Sequence, residues 1–512
     1  MPDPSKRRRR RQTQRRPAPS GIQQPPWRQV RNLYPPADVI SADELEHIHC
    51  ASLTVLEEIG IEILLPEAVE YYRSAGATVE GSPARIKFDK HLIELLIGQA
   101  PSLVTLHARN PDHHFQLGDD CIAFGLVGSA PNVTDLDQGR RTGNRHDFRQ
   151  LLKLGQVFNI IHVIAGYPVE PIDLPPATRH LDAVADMALL TDKVISAYSL
   201  GRERIRDGIE MARIVRGIDD ETLDREPSLL TVINANSPLR YDRPMLWGII
   251  EMAKRNQLAV ITPFTLAGAM SPITIAGSLV QQNAEALAGI ALSQIVRSGS
   301  PVMYGGFTSN ADMRSGAPAF GTPEYIKAAQ ITGQLARRYR IPYRSSNVNA
   351  ANTVDAQSAY ESVFSLWGAI SGKAHLIKHG AGWLEGGLSA SYEKVVLDAD
   401  LLQMVAAYLE PIKTDSDNLA LEAMREVGPG GHFFGTAHTR SRYADAFYSP
   451  LISDWRNFES WQEAGSPTAM DHANSLYKQA LTEYTEPAID AAVREELEAF
   501  VSHRKAQGGV PE

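Results

Sequence analysis

Between residues 121 and 411, short apolar runs alternate with longer amphipathic stretches eight times over, and this alternation restricts the fold more than anything else in the chain. The runs lie at 121–125, 160–165, 193–198, 229–234, 258–262, 301–304, 341–345 and 375–378. They are short and rich in Val, Ile and Leu, which is how strands buried on both faces read. Helical periodicity fills the intervals at 145–157, 179–190, 202–215, 244–255, 275–298, 323–339 and 354–370, and returns after the last run at 391–409. Parallel strands need helical crossovers of this length, so eight strand–helix units predict an α/β fold, the TIM (β/α)8 barrel. A doubly wound open sheet could use the same string. No G-x-G-x-x-G follows the first run to serve one, however, and the nearest fragment, Gly380 to Gly382, sits behind the eighth.

The flanks divide the rest of the chain. Residues 1–34 form a basic tail, with Lys6, Arg7 through Arg11, Arg15 and Arg16 set among Pro, Gln and Ser, and such a composition predicts disorder. A twin-arginine export signal would need an apolar stretch next, and residues 18–26 supply none. Residues 35–120 read as a helical lead-in, where Ser41 three residues ahead of Glu44 predicts a capping box, with strand candidates at 84–88 and 105–117. The barrel then occupies 121–411, and 412–512 is a C-terminal helical appendage with a glycine-rich turn (Gly428, Gly430, Gly431) and a final helix at 489–504. No run approaches eighteen apolar residues, so no membrane span is expected. A net charge of −9 over 512 residues gives no bulk attraction to nucleic acid or an anionic membrane. Cys50 and Cys121 match no metal spacing and suggest a reducing compartment, the cytoplasm.

In a barrel the working residues stand just past the C-terminal ends of the strands. Here that rim is neutral and aromatic: Tyr198, then Asn234 and Asn236, Phe264, Phe307, Arg344 and Asn347, and finally His379 and Trp383. Metal hydrolases need three or more clustered His and Asp ligands, and the sequence predicts no metal. His113 and His114, read as neighbours on a pre-barrel strand, would point to opposite faces. Of the eighth-strand histidines, His379 at the tip is the functional candidate and His375 a satisfied core residue. A lysine late on a barrel strand can form a Schiff base, but alternation turns Lys378 toward the helices if His379 faces the lumen. The asparagines serve either as Asx turns or as a hydrogen-bonding wall. The rings suit a quaternary ammonium group, which binds by cation–π attraction. No acid, base or nucleophile is assigned.

Four longer runs carry a resemblance: TPFTLAGAMSPITIAGSLVQQNAEALAG (262–289), YGGFTSNADMRSGAPAFGTPE (304–324), RSSNVNAANTVDAQSAYES (344–362) and HGAGWLEGGL (379–388). Together they resemble the trimethylamine methyltransferase superfamily, over the barrel and part of the lead-in, with the basic tail outside. The resemblance implies a TIM barrel that moves a methyl group from a methylamine to the Co(I) of a cognate corrinoid protein. The cobalamin would come with that partner and none would be bound by this chain. D-x-H-x-x-G is indeed incomplete, since Asp112 and His114 are followed by Leu117 where Gly is needed. The archetypal trimethylamine enzymes carry pyrrolysine after the seventh strand, where this chain has ordinary residues at 347–352. Members without it resemble glycine betaine methyltransferase, acting on quaternary amines. Phe264, Phe307 and Trp383 would then cage the trimethylammonium head, while Asn234, Asn236, Arg344 and His379 hold the polar end beside Asn347. A homo-oligomer is also implied. The alternatives are a methyltransferase of the same family acting on trimethylamine or another methylated amine, and a non-catalytic barrel that binds quaternary amines. Gln281, Asn283 and Glu285 read as helix packing.

Overall fold

Parallel strands form the centre of the protein. In the computed structural model, which describes residues 21–510, Cys121–Leu126 is followed around the sheet by Leu376–Ala381, Tyr343–Ser346, Val302–Gly305, Leu258–Ile261, Leu229–Ile233 and Ile195–Ser196, each parallel to its neighbour. Val30–Arg31 adds an antiparallel eighth strand beside Cys121–Leu126. The predicted run at 160–165 is not a continuous strand. Val163 alone makes parallel bridges, to Gly125 on one side and Val194 on the other, so this segment joins the two ends of the curled sheet. A side chain takes over the missing ladder bond, because the amide of Phe124 donates to Nδ1 of His162 at 3.0 Å.

The helices follow the sequence closely, and several starts are encoded by a side-chain cap. Arg145–Val157, Arg179–Leu190 and Pro323–Tyr339 fall on the predicted residues. Asn144 accepts from the amide of Asp147, and Thr322 accepts from that of Tyr325 with Pro323 next in sequence. Ile275–Val296 is buried nearly all round, because helices of the lead-in cover its outer face.

The lead-in is mixed rather than helical. Ala42–Thr54, with the expected Ser41–Glu44 capping box, Pro66–Ser74 and Lys90–Ile97 accompany a four-stranded sheet of Ile61–Ile63, Thr78–Glu80, Arg85–Lys87 and Arg240–Tyr241. The segment read as one strand at 105–117 is a hairpin of Val104–Leu106 and Phe115–Leu117 around the turn Pro111–His113. His113 and His114 therefore lie at a turn and not on a strand. His113 Nδ1 meets Asp192 Oδ1 at 2.8 Å, and His114 Nε2 meets the Ala108 carbonyl at 3.1 Å. Leu106, Phe115 and Leu117 of this hairpin close the floor of the curl, packing with Ala123, Leu230, Val260, Met303 and Leu376.

Of the tail expected to be disordered, residues 1–20 lie outside the described residues. Residues 21–34 run along the domain, where Gln24 accepts from the amide of Asn159 and Val30–Arg31 joins the sheet. Beyond the helix that follows the last strand of the curled sheet, Tyr392–Tyr408, four short helices precede Ala469–Glu483 and Ala491–Ala506. The last two pack on Tyr392–Tyr408 and on Arg179–Leu190 with Arg202–Arg216. Among the described residues no helix is long and apolar enough to cross a membrane.

Candidate active site

The period of two along a strand decides which side chains face the inside of the curl. Leu376 packs in the floor cluster, so Lys378, two residues on, lies on the same face. Arg344 pairs across the ladder with Leu376, and Ser346 with Lys378. Two cations on adjacent strands therefore share one face, a turn of the pleat above an apolar floor.

Arg344 is fully enclosed. It donates to Ser346 Oγ at 2.6 Å and, at 3.4 Å, to the Gly306 carbonyl, while its Nε has no partner. Its guanidinium carbon stands 5.0 Å from the centre of the Phe307 ring. Lys378 is only 4 % exposed, and among the described residues its ammonium joins no ion pair or hydrogen bond. Burial, reinforced by the charge of Arg344, pushes Lys378 down to about 7. Burial likewise pushes Arg344 down to about 10, and no carboxylate opposes the shift.

The expectation that Lys378 faces the helices fails because the strand is not a regular pleat here. Its register shifts between Ile377 and Ala381, and His379 has φ of +55°, in the left-handed region. Such a backbone costs a non-glycine residue on the order of 1 kcal/mol. Its effect is that consecutive side chains, Lys378 and His379, reach the same cluster. His379 Nδ1 accepts from the amide of Gly128 at 3.2 Å, which assigns the proton to Nε2. Burial, then Lys378 and Arg344, hold this imidazole well below its usual range, so it is neutral. His375 is satisfied at both ends, by the Tyr343 amide at 2.9 Å and the Asp119 carbonyl at 3.1 Å.

Aromatic rings lie against these groups. Phe264 and Phe307 are register partners on two short parallel strands, Phe264–Ala267 and Phe307–Ala311, with ring centres 5.2 Å apart. Trp383 meets Phe307 edge-on at 6.3 Å and lies 4.1 Å from His379, and its Nε1 has no partner. Phe320 stacks on Phe307 at 5.6 Å. Phe320, absent from the rim expected from the sequence, sits in the same glycine-rich loop as Phe307. Tyr198 belongs to a separate pair: it stacks on Tyr167 at 4.1 Å and bonds Ser129 Oγ at 2.9 Å.

The asparagines divide by task. Asn347 donates to the Gly380 carbonyl at 2.9 Å and Asn349 to the Trp383 carbonyl at 2.8 Å, so the seventh loop braces the eighth, which carries His379 and Trp383. Asn234 is exposed at the end of its strand, on the face of Leu230. Asn236 exchanges two bonds with Asp242, at 2.9 and 3.1 Å, and closes its own loop. Glu285 anchors that loop as well, accepting from Ser237 Oγ at 2.6 Å and from the Leu239 amide at 2.8 Å. Asn283 bonds the hydroxyls of Tyr339 and Tyr304 within the helix layer. The arrangement thus offers rings and donors (Arg344, Lys378, Trp383, the Nε2 of His379) without a carboxylate among them, which suits binding and orientation of a substrate. Among the described residues no three His, Cys, Asp or Glu stand together as metal ligands.

A family model described as trimethylamine methyltransferase (MTTB) matches residues 5–509, and so takes in most of the basic tail that the motifs had left outside. The chain is 35 % identical over 478 residues to a glycine betaine methyltransferase of Desulfitobacterium hafniense, an alignment covering 93 % of this chain and 99 % of that one. A trimethylamine methyltransferase of the same species is 29 % identical, with 92 % and 94 % covered. The solved monomethylamine methyltransferase of Methanosarcina barkeri is a distant likeness, with a TM-score of 0.44 at 10 % identity over 89 % of this chain and 92 % of that one. With the model and these relatives spanning nearly its whole length, the chain belongs to the trimethylamine methyltransferase family.

Proposed function

We propose that this protein moves a methyl group from a quaternary amine of the glycine betaine type to the Co(I) of a separate corrinoid protein. The observation that carries this reading is the cluster itself: Phe264, Phe307, Phe320 and Trp383 gather beside a buried Arg344 that no carboxylate neutralises. A quaternary nitrogen keeps the electron pair of the breaking C–N bond and leaves as a neutral tertiary amine, so the step needs no proton. Co(I) supplies the nucleophile. The rings hold the ammonium head by cation–π attraction and keep water out, and the planar fork of Arg344 takes the carboxylate. Similarity to the betaine enzyme of D. hafniense supports the same substrate class.

The curled sheet, joined end to end by Val163, is best read as a closed (β/α)8 barrel whose mouth holds this cluster. Asp112 and His114 do not fit a cobalt ligand set, since His114 Nε2 is taken by the Ala108 carbonyl. The corrinoid then arrives on its partner as a second substrate, docking over the mouth. A second copy of this chain also has a surface to occupy. Ile412, Phe434 and Phe447 are 88 %, 87 % and 86 % exposed, and Tyr360, Val363, Phe364 and Trp367 line one side of Ala356–Ser371. Large apolar side chains exposed in this way are what an interface between two copies would cover. We assign the protein to the cytoplasm, in keeping with its two free cysteines.

The test is to incubate the protein with a Co(I) corrinoid and glycine betaine. The expected result is dimethylglycine together with the spectral change of the methylated corrinoid. No product from betaine, with turnover of trimethylamine, would overturn the reading in favour of a tertiary-amine enzyme of this family.

A further inference from the structure

Most buried cations in this protein have visible partners. Lys394 pairs with Asp398 and Ser362, and Lys193 with two backbone carbonyls, while the half-buried Arg141 pairs with Asp135 and Asp147. Among the described residues Lys378 has no such partner, and Arg344 meets only uncharged oxygens, Ser346 Oγ and the Gly306 carbonyl. The two cations face the same way from neighbouring strands, Arg344 keeps an unpartnered Nε, and no carboxylate approaches either. Two like charges withdrawn from water without a counterion are costly, and a fold retains such a pair when something outside the chain completes it. The completing group must be an acceptor, since the nearby free groups, Trp383 Nε1 and the Nε2 of His379, are donors as well.

We propose that Lys378 and Arg344 together form a two-cation pocket for a carboxylate, and that the enzyme therefore selects quaternary amines bearing an anionic group over those without one. The inference rests on the quaternary-amine reading and adds Lys378 to the carboxylate contact that reading gave to Arg344 alone. Arg344 lies against the Phe307 ring, so a carboxylate on the cation pair leaves its neighbouring ammonium beside Phe307, Phe264 and Trp383. A zwitterion satisfies both halves of the site. Choline or tetramethylammonium would instead bring a positive charge toward Arg344 while leaving both Lys378 and Arg344 without an acceptor, which disfavours its binding.

The experiment compares kcat/KM for glycine betaine, choline and tetramethylammonium, with a Co(I) corrinoid as acceptor, in wild-type full-length protein and in Lys378→Met, Lys378→Gln and Lys378→Arg. Wild type is expected to favour betaine strongly. The betaine-to-choline ratio should fall about 10- to 100-fold in the Met and Gln variants and recover in part in the Arg variant. A structural lysine would lose stability on this change. Here the ligand-free melting temperature of Lys378→Met should hold or rise, because an unmatched charge has been removed. If Met disturbs folding, the Gln and Arg variants decide through the same ratio. Equal use of betaine and choline by wild type, or an unchanged ratio in all three variants, would overturn the two-cation pocket while leaving the quaternary-amine reading intact. Turnover of trimethylamine with no quaternary amine accepted would bring down that reading instead.

Discussion

Lys193 and Lys378 are the same residue type at nearly the same burial, 3 % and 4 % exposed, and burial pushes both down to about 7. What differs is what they meet. Lys193, at the foot of its strand, donates to the carbonyls of Gly155 and Phe158 at 2.7 and 2.9 Å, where the helix Arg145–Val157 ends. It closes a helix C-terminus and is complete within the fold. Lys378, midway along its strand, faces Arg344 and has no acceptor among the described residues. A depressed lysine is thus not in itself a mark of function, and the absence of an acceptor in the chain is the more telling sign.

The comparison can be broken most sharply at the second cation. Arg344→Ala should lower kcat/KM for glycine betaine by about 100-fold or more, since a buried charge-assisted pair with the substrate is lost. Steady-state kinetics would show it, and a loss under 5-fold would mean that the pocket does not hold the carboxylate. The foot of the curled sheet should behave in the opposite way. Lys193→Met leaves two buried carbonyls without a donor and should cost about 1–3 kcal/mol of stability, read by denaturant unfolding, with kcat/KM per folded enzyme unchanged. Lost turnover in a stable Lys193→Met protein would erase the distinction between the two lysines.

How far each feature could be read from the sequence follows from how local its cause is. Helix starts were legible because Asn144, Thr322 and Ser41 cap within three residues of themselves. The lead-in sheet was not, since Arg240–Tyr241 pairs with Ile61–Ile63 across a long stretch of chain and each strand is too short to show a period. The second run failed as a strand because a side chain, His162, took the bond that a ladder would have used. At the site, ring identities pointed to Phe264, Phe307 and Trp383, which do gather together with Arg344 and His379. Lys378 was turned the wrong way by assuming unbroken alternation through a segment where His379 adopts positive φ. The clue was the adjoining Gly380-Ala381-Gly382, whose glycines permit the departure: a Cβ on Gly380 would come within 2.8 Å of the Gly125 carbonyl, and Gly382 itself has φ of +104°. Asn236 showed the ordinary use of an asparagine after a strand, closing its own loop.

The unmatched cations can be interrogated through protons. At pH 8 a free Lys378 near 7 is mostly neutral, and the groups acting on it from neighbouring positions, Arg344 and His379, contribute positive or no charge. A carboxylate arriving beside it favours the charged form and raises its pKa, so binding must draw a proton from solution. Calorimetric titration of the full-length protein with glycine betaine at pH 8, in two buffers of different ionisation enthalpy, measures that uptake directly. The account predicts uptake of a sizeable fraction of a proton by wild type and close to none by Lys378→Arg, whose side chain stays charged throughout. Binding of betaine to wild type with no proton taken up, or the same uptake in both proteins, would contradict it.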